Sequence, residues 1–276
     1  MRSVNLPSGE AVPVLGLGTW RMGESAAAFK KEAVAVRHAY DRGIRLFDTA
    51  EMYGEGGAEK VLAAGLEGVR DDCFIVSKVY PHNASYDDAV AACERSLRRL
   101  GTDRIDLYLL HWPGRVPYPE TIRAFEALQS AGKIRHYGVS NLDIDDLEEW
   151  FAAGGTACAT DQVIYNPTRR GVEFDLLPWC RSRSMPVMAY SPLEQGRLGG
   201  DDVLRRIGER HGVSALQVSL AWVLRDPNII AIPKSADPGR IDANIAALDI
   251  RLGDEDIAKI DAAFPPPVRK QSLEML

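Results

Sequence analysis

The chain has few cysteines, no long apolar stretch and no excess of positive charge, and each absence argues against a class of protein. Its four cysteines are scattered and form no CxxC pair, so we expect reduced, buried thiols in a cytoplasmic protein. The five histidines lack ligand-like spacing, which argues against a metal site. A net charge of −6 argues against a nucleic-acid-binding surface. No apolar run approaches the ~20 residues that span a bilayer, and the N-terminus lacks the apolar core of a signal peptide.

What the sequence does contain is a series of short apolar runs. Eight of them are rich in Val, Ile and Leu and have the length of a strand. They are unbroken rather than alternating with polar residues, as expected for parallel strands that are covered on both faces. These runs are VLGLGTW (14–20), IRLFDTA (44–50), FIVSKV (74–79), LYLLHWP (107–113), HYGVSN (136–141), DQVIYNP (161–167), VMAYSPL (187–193) and IIAIPKS (229–235).

Helical patterns separate the runs, and no low-complexity linker divides them. Val90, Cys93 and Leu97, for example, lie at helical spacing, and Gly101 follows where a C-cap is expected. Eight strand–helix units predict a (β/α)8 TIM barrel, an α/β fold, formed by a single domain over residues 1–276.

Additional elements are expected outside these eight units. The first residues, SVNLPSGEAVPV, are typical of an N-terminal β-hairpin, which we expect to plug the floor of the barrel. Extra helices are predicted at 202–211 and at 254–263.

Polar side chains stand at the ends of several runs, which is the end of a (β/α)8 barrel that carries the active site. The second run ends near Asp48, the third at Lys78 and the fourth at His111. A charge at the tip of an apolar strand needs a partner, and Asp48 and Lys78 can pair across neighbouring strands. Tyr53 lies on the loop after Asp48 and can lean back toward Lys78.

These residues suggest a proton donor. An isolated phenol has a pKa of ~10, which is too high for efficient acid catalysis at neutral pH. We expect the Lys78 cation, held by Asp48, to lower the pKa of Tyr53. A carbonyl that accepts a hydride develops negative charge on its oxygen, and a phenol at Tyr53 with an imidazole at His111 would stabilise that charge.

Other interpretations of the same residues stay open. The alternative for Asp48 and Lys78 is a purely structural ion pair. The alternative for Tyr53 is a residue that anchors the loop, and the alternative for His111 is a histidine of the core. A different enzyme class is a barrel lyase or aldolase that forms a Schiff base at Lys78. That lysine should lie in an apolar pocket, whereas Asp48 and Tyr53 argue for a charged ammonium.

The chain resembles the aldo-keto reductase family from end to end. The resemblance rests on an ordered set of motifs: GLGTW, FDTAEMYG, IVSK, LYLLHWP, YGVSN, DQVIYNP, AYSPL and IPKS, followed by Arg240 and Asn244. PVMAYSPL and EFDLLPWC further resemble bacterial members that reduce small aldehydes such as methylglyoxal. The resemblance implies NADPH-dependent reduction of a carbonyl substrate by a catalytic tetrad, with Tyr53 as general acid. The tetrad would be Asp48, Tyr53, Lys78 and His111.

The resemblance also implies how the cofactor binds, since the family holds NADPH without a GxGxxG loop and this chain has none. Tyr190 would stack on the nicotinamide. The nicotinamide carboxamide would be held by Ser140, Asn141 and Gln162. The pyrophosphate and adenosine contacts would be Ser191, Leu193, Lys234, Ser235, Arg240 and Asn244, where Lys234 and Arg240 suit a ribose 2′-phosphate. Gly18 and Thr19 would lie beside the cofactor at the mouth, and the substrate pocket would be walled by Trp20 and Trp112.

The chain departs from the family pattern in a few places. Ala243 stands where family members often carry Glu or Gln, which removes an adenine contact. Asp161 replaces an Asn that is common at its position. The segment WPGRVPYPET and the tail after Phe264 are short, and family members shape the substrate pocket with these two segments. We therefore expect an open pocket with broad selectivity for small carbonyl compounds.

A non-catalytic role is the remaining alternative. Some family members act as cofactor-bound regulatory subunits or as lens structural proteins, and the intact tetrad argues against both roles here. The predicted partner is a small-molecule carbonyl substrate, with no nucleic acid and no membrane, and we expect a monomer.

Overall fold

A computed structural model describes residues 1–276, and its strands form two sheets. The N-terminal hairpin pairs β1 (Ser3–Asn5) with β2 (Ala11–Pro13) in antiparallel fashion, as predicted. The other eight strands form one parallel sheet in which neighbours in sequence are neighbours in space. They are β3 (Leu17–Gly18), β4 (Leu46–Asp48), β5 (Phe74–Val79), β6 (Ile105–Leu110), β7 (Ile134–Ser140), β8 (Cys158–Ile164), β9 (Val187–Tyr190) and β10 (Ile229–Ala231). Each predicted run overlaps one of these strands, although β6, β7 and β8 begin two or three residues before their runs.

Isolated parallel bridges join the first and last strands of this sheet. Leu15 pairs with Ala231, and Gly18 pairs with Lys234. A Cβ atom on Gly18 would lie 2.8 Å from the carbonyl oxygen of Ile232, so the strands approach closely only because this residue is glycine. The eight strands therefore curl into the (β/α)8 arrangement that the sequence predicts.

Ten α-helices follow the strands and cover the outside of the barrel. They are α1 (Ala26–Asp41), α2 (Gly57–Gly65), α3 (Tyr86–Leu100), α4 (Tyr118–Ser130), α5 (Ile144–Ala152), α6 (Leu176–Ser182), α7 (Asp202–His211), α8 (Ala215–Val223), α9 (Pro238–Ala246) and α10 (Asp254–Ala263). The predicted extra helices at 202–211 and 254–263 are α7 and α10, with the same bounds. Gly101 caps α3 in the left-handed conformation, at φ 63°.

The apolar core has two layers. The larger layer lies between the barrel and its helices. The smaller one fills the barrel interior, where Leu46, Val76 and Leu107 pack with Leu6 and Val12 of the hairpin. The hairpin therefore plugs the barrel floor, as the sequence predicts, and leaves the opposite end as the open mouth.

Two global features of the chain can be read from the same structure. None of its helices has both the length and the apolar character needed to cross a membrane. All four cysteines are buried and unpaired, as predicted, and burial raises the thiol pKa of Cys73 to about 11 and of Cys93 to about 12. Thiols with such pKa values are poor nucleophiles at neutral pH.

Candidate active site

The carboxyl ends of β4 and β5 bring Asp48 and Lys78 together at the mouth. Lys78 is fully buried, and its Nζ lies 2.8 Å from both carboxylate oxygens of Asp48. The same ammonium donates to the Thr49 carbonyl at 2.9 Å and to the Tyr53 hydroxyl at 3.3 Å. The carboxylate, the carbonyl and the phenol thus engage all three N–H groups of Lys78. Because Lys78 donates to the Tyr53 oxygen, the O–H of Tyr53 is left to point at another acceptor.

The predicted lowering of the Tyr53 pKa is wrong. Burial raises the pKa of Tyr53 well above its ordinary value, and the negative charge of Asp48 raises it further. Burial is the larger cause because it disfavours the charged phenolate, and Asp48, which contacts the Lys78 ammonium through both oxygens, adds its own negative charge near the phenol. Tyr53 therefore carries its proton at neutral pH.

His111 follows β6 directly and is buried beside Tyr53. Its backbone N–H donates to the Val79 carbonyl at 3.1 Å, and the two rings meet edge to face with centroids 5.8 Å apart. Burial lowers the pKa of His111 well below its ordinary value, and the Lys78 charge adds to that change. The imidazole is therefore neutral, and its Nδ1 atom is buried without a hydrogen-bond partner.

Gln162 on β8 reaches into the barrel and contacts Asp48. Its side-chain amide donates to Asp48 Oδ2 at 2.8 Å and approaches Met188 Sδ at 2.9 Å. Both side-chain N–H groups are thus engaged inside the barrel, and the carbonyl oxygen of the side chain is the atom left for an external partner. Sequence reasoning placed Gln162 near the predicted nicotinamide site but did not foresee its bond to Asp48.

The ends of β7 and β9 are linked through Asn141. Its side-chain amide donates to the His111 carbonyl and to Ser140 Oγ, both at 3.1 Å, and its oxygen accepts the Tyr190 hydroxyl at 3.0 Å. Ser140 Oγ donates to the Gln162 carbonyl at 2.8 Å. Asn141 has a left-handed backbone, at φ 59°, which these contacts hold in place. The five residues therefore form one hydrogen-bonded group around the mouth.

The residues predicted to contact the pyrophosphate and adenosine lie farther out, after β9 and β10. Lys234 and Arg240 are exposed, and neither side chain has an ion-pair or hydrogen-bond partner anywhere in residues 1–276. Partial desolvation of its ammonium lowers the pKa of Lys234, and the nearby charges of Arg21 and Arg240 lower it further, while Glu32 and Glu24 oppose the change. Ser235 is buried, whereas the others of this set are partly exposed: Ser191, Leu193 and Asn244.

The residues predicted on the first strand separate into two environments. Gly18 closes the barrel, and Thr19 is fully buried with its hydroxyl donating to the Asp48 carbonyl at 2.9 Å. Trp20 is partly exposed, and the Arg21 guanidinium lies 4.4 Å from its ring centroid. Trp112, on the other side of the mouth, lies 4.7 Å from the His111 ring. Thr19 thus supports Asp48 from inside.

Sequence reasoning missed Glu51, which is buried two residues before Tyr53. Its carboxylate accepts the Tyr80 backbone N–H at 2.9 Å and the Asn83 side-chain amide at 3.0 Å. Glu51 therefore ties the loop that carries Tyr53 to the segment after β5. Tyr80 also packs edge to face on Trp112, with centroids 5.7 Å apart, so the same segment borders the mouth. A glutamate in a loop gives no sequence signal that it will be buried.

Across residues 1–276, no group of three or more His, Cys, Asp or Glu side chains is arranged to hold a metal ion. The site instead combines a protonated phenol, a buried ammonium and a neutral imidazole, which can support acid–base chemistry on a small molecule.

Comparison with known proteins agrees with this chemistry. Residues 14–264 match the aldo/keto reductase family. The chain is 49% identical over 272 residues to the methylglyoxal reductase YeaE of Escherichia coli K12, with 96% of each protein covered. It is 37% identical to the glyoxal reductase of Bacillus subtilis 168, with 94% of this chain and 92% of that protein covered.

A solved structure gives the same result for the fold. The aldo/keto reductase from Klebsiella pneumoniae, in complex with NADP and acetate, superposes with a TM-score of 0.97 at 48% identity, over 100% of this chain and 99% of that one. The fold and the site thus define a barrel oxidoreductase. The chain belongs to the aldo/keto reductase family.

Proposed function

We propose that this NADP-dependent aldo-keto reductase reduces small aldehydes and ketones to alcohols, with Tyr53 as the general acid. The names of the Escherichia coli and Bacillus subtilis relatives favour methylglyoxal and glyoxal as the first compounds to test. The short segment 112–121 supports a broad rather than a narrow selectivity, because little chain is available there to enclose a substrate.

NADPH fits the donor set that surrounds the mouth. Lys234 and Arg240 are unpartnered cations, which is the chemistry that a phosphate-bearing ligand requires. We assign the ribose 2′-phosphate to Arg240 with Lys234, and the nicotinamide to Tyr190 with Asn141 and the Gln162 oxygen. When bound there, NADPH supplies the hydride that reduces the carbonyl carbon. The remaining contacts in this proposal are Gly18, Thr19, Ser140, Ser191, Leu193, Ser235 and Asn244.

Tyr53 would supply the proton that the carbonyl oxygen gains. Its raised pKa keeps it protonated in the resting enzyme, so the O–H is available as a donor. As the proton leaves, negative charge grows on the phenol oxygen, and the Lys78 N–H at 3.3 Å stabilises it. Asp48 keeps Lys78 charged and oriented for that purpose. Lys78 thus acts on the developing phenolate rather than on the pKa of the resting phenol.

His111 would orient the carbonyl. A neutral imidazole carries one N–H, which can donate to the carbonyl oxygen without competing with Tyr53 as a proton source. The low pKa of His111 keeps it in this form across the physiological range. Trp20 and Trp112 would wall the substrate pocket on two sides, and both are partly exposed at the mouth.

The observation that carries the proposal is the Lys78 ammonium shared between Asp48 and the Tyr53 hydroxyl. Its test is Tyr53→Phe, which removes only the hydroxyl. Turnover of methylglyoxal, followed as loss of NADPH absorbance, should fall by ~10²–10⁴-fold while NADPH affinity stays close to wild type. Tyr40→Phe, which removes a hydroxyl bound to Asp72 far from the mouth, is the matched control. Retention of most turnover in Tyr53→Phe would refute this role.

The Schiff-base alternative requires a free amine at Lys78. That amine is fully buried and has all three N–H groups engaged, and its shortest contacts are to a carboxylate. Burial does lower the pKa of Lys78, but Asp48 opposes the change and favours the ammonium. Borohydride reduction in the presence of a carbonyl compound should therefore trap no adduct at Lys78. The same assay tests a non-catalytic regulatory role, because a protein with that role would show no turnover of methylglyoxal.

A further inference from the structure

A line of ion pairs joins two segments at the mouth that are distant in sequence. Arg169 Nη1 lies 2.8 Å from Glu274 Oε1, and Arg169 Nη2 lies 3.1 Å from Glu194 Oε1. Glu274 belongs to the tail, defined here as residues 265–276. Glu194 belongs to the loop 191–200, which follows β9. A single guanidinium therefore bridges the tail and this loop.

The loop 191–200 depends on Glu194 for its conformation. Glu194 and Gln195 have left-handed backbones, at φ 46° and 57°, which residues other than glycine rarely adopt. The Glu194 side chain is buried and accepts from the Asn166 amide at 2.8 Å as well as from Arg169. Burial raises the pKa of Glu194, but hydrogen bonds from Arg169, Asn166 and Arg197 outweigh it and hold the pKa below its ordinary value. The loop is thus secured by a charged Glu194.

The tail and the end of α10 before it are fixed to the same side of the mouth at several points. Arg170, next to Arg169, holds the end of α10 through Asp261 at 2.7 Å and the Phe264 carbonyl at 2.5 Å. Lys270 then contacts Asp143 at 2.5 Å and Asp175 at 2.8 Å. Arg169 is the only one of these anchors that also contacts the loop 191–200.

Leu273 and Glu274 of the tail line a small cavity together with Arg169 and Ile164, and Ile164 pairs with Tyr190 of the proposed cofactor site across β8 and β9. Burial raises the pKa of Tyr190, and the nearby backbone of Leu276 opposes that rise. Leu273 of the tail packs against the apolar core. The tail, the loop 191–200 and Tyr190 therefore border one region.

We propose that Arg169 is a positioning residue that couples the tail to the loop 191–200, so that release of the tail loosens the loop and speeds NADPH dissociation. The guanidinium is a rigid planar fork, so the bond to Glu274 orients the second nitrogen toward Glu194. Loss of the tail contact frees the fork to rotate, and the strained loop loses one of its supports. This inference rests on the proposed function, because it assumes that NADPH lies beneath the loop.

The test is a double-mutant cycle on NADPH dissociation, followed by stopped-flow fluorescence with excess NADP+ as trap. Glu274→Gln should speed NADPH dissociation about two- to fivefold, the range expected for loss of one partly exposed ion pair. Arg169→Gln should speed it by at least as much. The double variant should match Arg169→Gln alone, because the tail would act only through Arg169. Glu255→Gln, which breaks the exposed ion pairs of Glu255 with Arg210 on α7 and with Lys259 on α10, should leave the rate unchanged.

Two results would overturn the coupling. One is a Glu274→Gln rate no faster than that of Glu255→Gln, and the other is an additive effect in the double variant. Melting temperatures within a few degrees of wild type confirm that the variants are folded, so that a general loss of structure is not mistaken for coupling. A wild-type protein that neither binds NADPH nor reduces methylglyoxal would instead refute the proposed function itself, which distinguishes the two failures.

Discussion

Both ends of the barrel carry charged side chains, yet the two ends use them differently. At the floor, Asp106 is buried and accepts hydrogen bonds from Arg70 at 2.8 Å and from Arg135 at 3.2 Å. Glu10 of the hairpin accepts from Arg135 at 2.6 Å and from His136 at 2.7 Å. Each carboxylate there has its partners within the chain, and the hairpin closes the region to ligands.

The mouth is paired only in part. Asp48 and Lys78 form hydrogen bonds with each other. Lys78 also donates to the Tyr53 oxygen, so the Tyr53 O–H remains free to donate to another group. His111 Nδ1 has no partner. Lys234 is a cation without a counter-ion. Charge at a strand end is therefore a weak sign of function, whereas a paired charge that orients an unpaired donor is a stronger one.

The largest expected effect tests the paired part of the mouth. Lys78→Met should lower methylglyoxal turnover by ~10²–10⁴-fold, because the phenolate that forms at Tyr53 loses its hydrogen-bond donor. The double variant with Tyr53→Phe should be little worse than either single variant, since both act on one proton transfer. Initial rates with saturating NADPH measure this.

Folding must be checked in the same variant, because Asp48 is left buried without its cation. Lys60→Met, on the exposed face of α2, is the control for loss of a lysine. Turnover losses that multiply in the double variant would show that Lys78 and Tyr53 act independently.

The floor should respond in the opposite way. Asp106→Asn keeps the shape but removes the charge that faces Arg70, Arg104 and Arg135. It should destabilise the fold by about 2–4 kcal/mol in urea unfolding. Turnover per folded molecule should not change, because no floor residue reaches the mouth. Asp71→Asn, an exposed carboxylate that contacts Arg104 at 3.0 Å, should cost less than about 0.5 kcal/mol. If Asp106→Asn lowered turnover without changing the free energy of unfolding, the two ends of the barrel would not differ in the way described.

The unpaired part of the mouth is tested by cofactor choice. Arg240→Ala should weaken NADPH binding by about ten- to a hundredfold, which corresponds to ~1.5–3 kcal/mol for a charged hydrogen bond to phosphate. NADH lacks the 2′-phosphate, so its affinity should stay nearly constant. Arg206→Ala, at an exposed arginine on α7, is the matched control. Fluorescence titrations in which both cofactors weaken equally would show that Arg240 does not bind the 2′-phosphate.

Much of this architecture follows from local sequence patterns. The eight runs each overlap a barrel strand, and α7 and α10 begin and end where predicted, because period and length are local properties. The approach of Asp48, Lys78 and Tyr53 also follows, since parallel strands bring their carboxyl ends to one edge.

The rest depends on burial and on contacts between distant residues. The Tyr53 pKa moved opposite to the prediction because burial of the phenol raises it, and the sequence does not show how deeply a loop residue is buried. The bond from Gln162 to Asp48 and that from Arg169 to Glu274 join residues more than a hundred positions apart. Side-chain direction at that range is set by packing, which no local pattern records.

The smallest expected effect concerns a buried carboxyl group that lies at neither end. Asp161 on β8 is fully buried, and neither carboxylate oxygen has a hydrogen-bond partner. Burial raises its pKa well above the ordinary value, and Asp143 and Asp146 raise it further, while the nearby backbone of Leu142 opposes the rise. The folded state therefore binds a proton that the unfolded chain releases above a pH of ~4. Stability that is fully present below that pH is lost as pH rises toward the folded-state pKa.

Asp161→Asn removes this titration and nearly preserves the shape of the side chain. The variant should match wild type near pH 4 and exceed it by about 1–2 kcal/mol at pH 7.5, because its folding no longer requires uptake of a proton and each unit of pKa difference corresponds to ~1.4 kcal/mol. Urea unfolding at both pH values measures the difference. Asp103→Asn, at a side chain that is 90% exposed, controls for the change in net charge and should show no such pH dependence. A gain that is the same at both pH values would mean that the Asp161 carboxyl does not take up a proton on folding. The stabilisation would then come from the hydrogen bonds that an amide can make there.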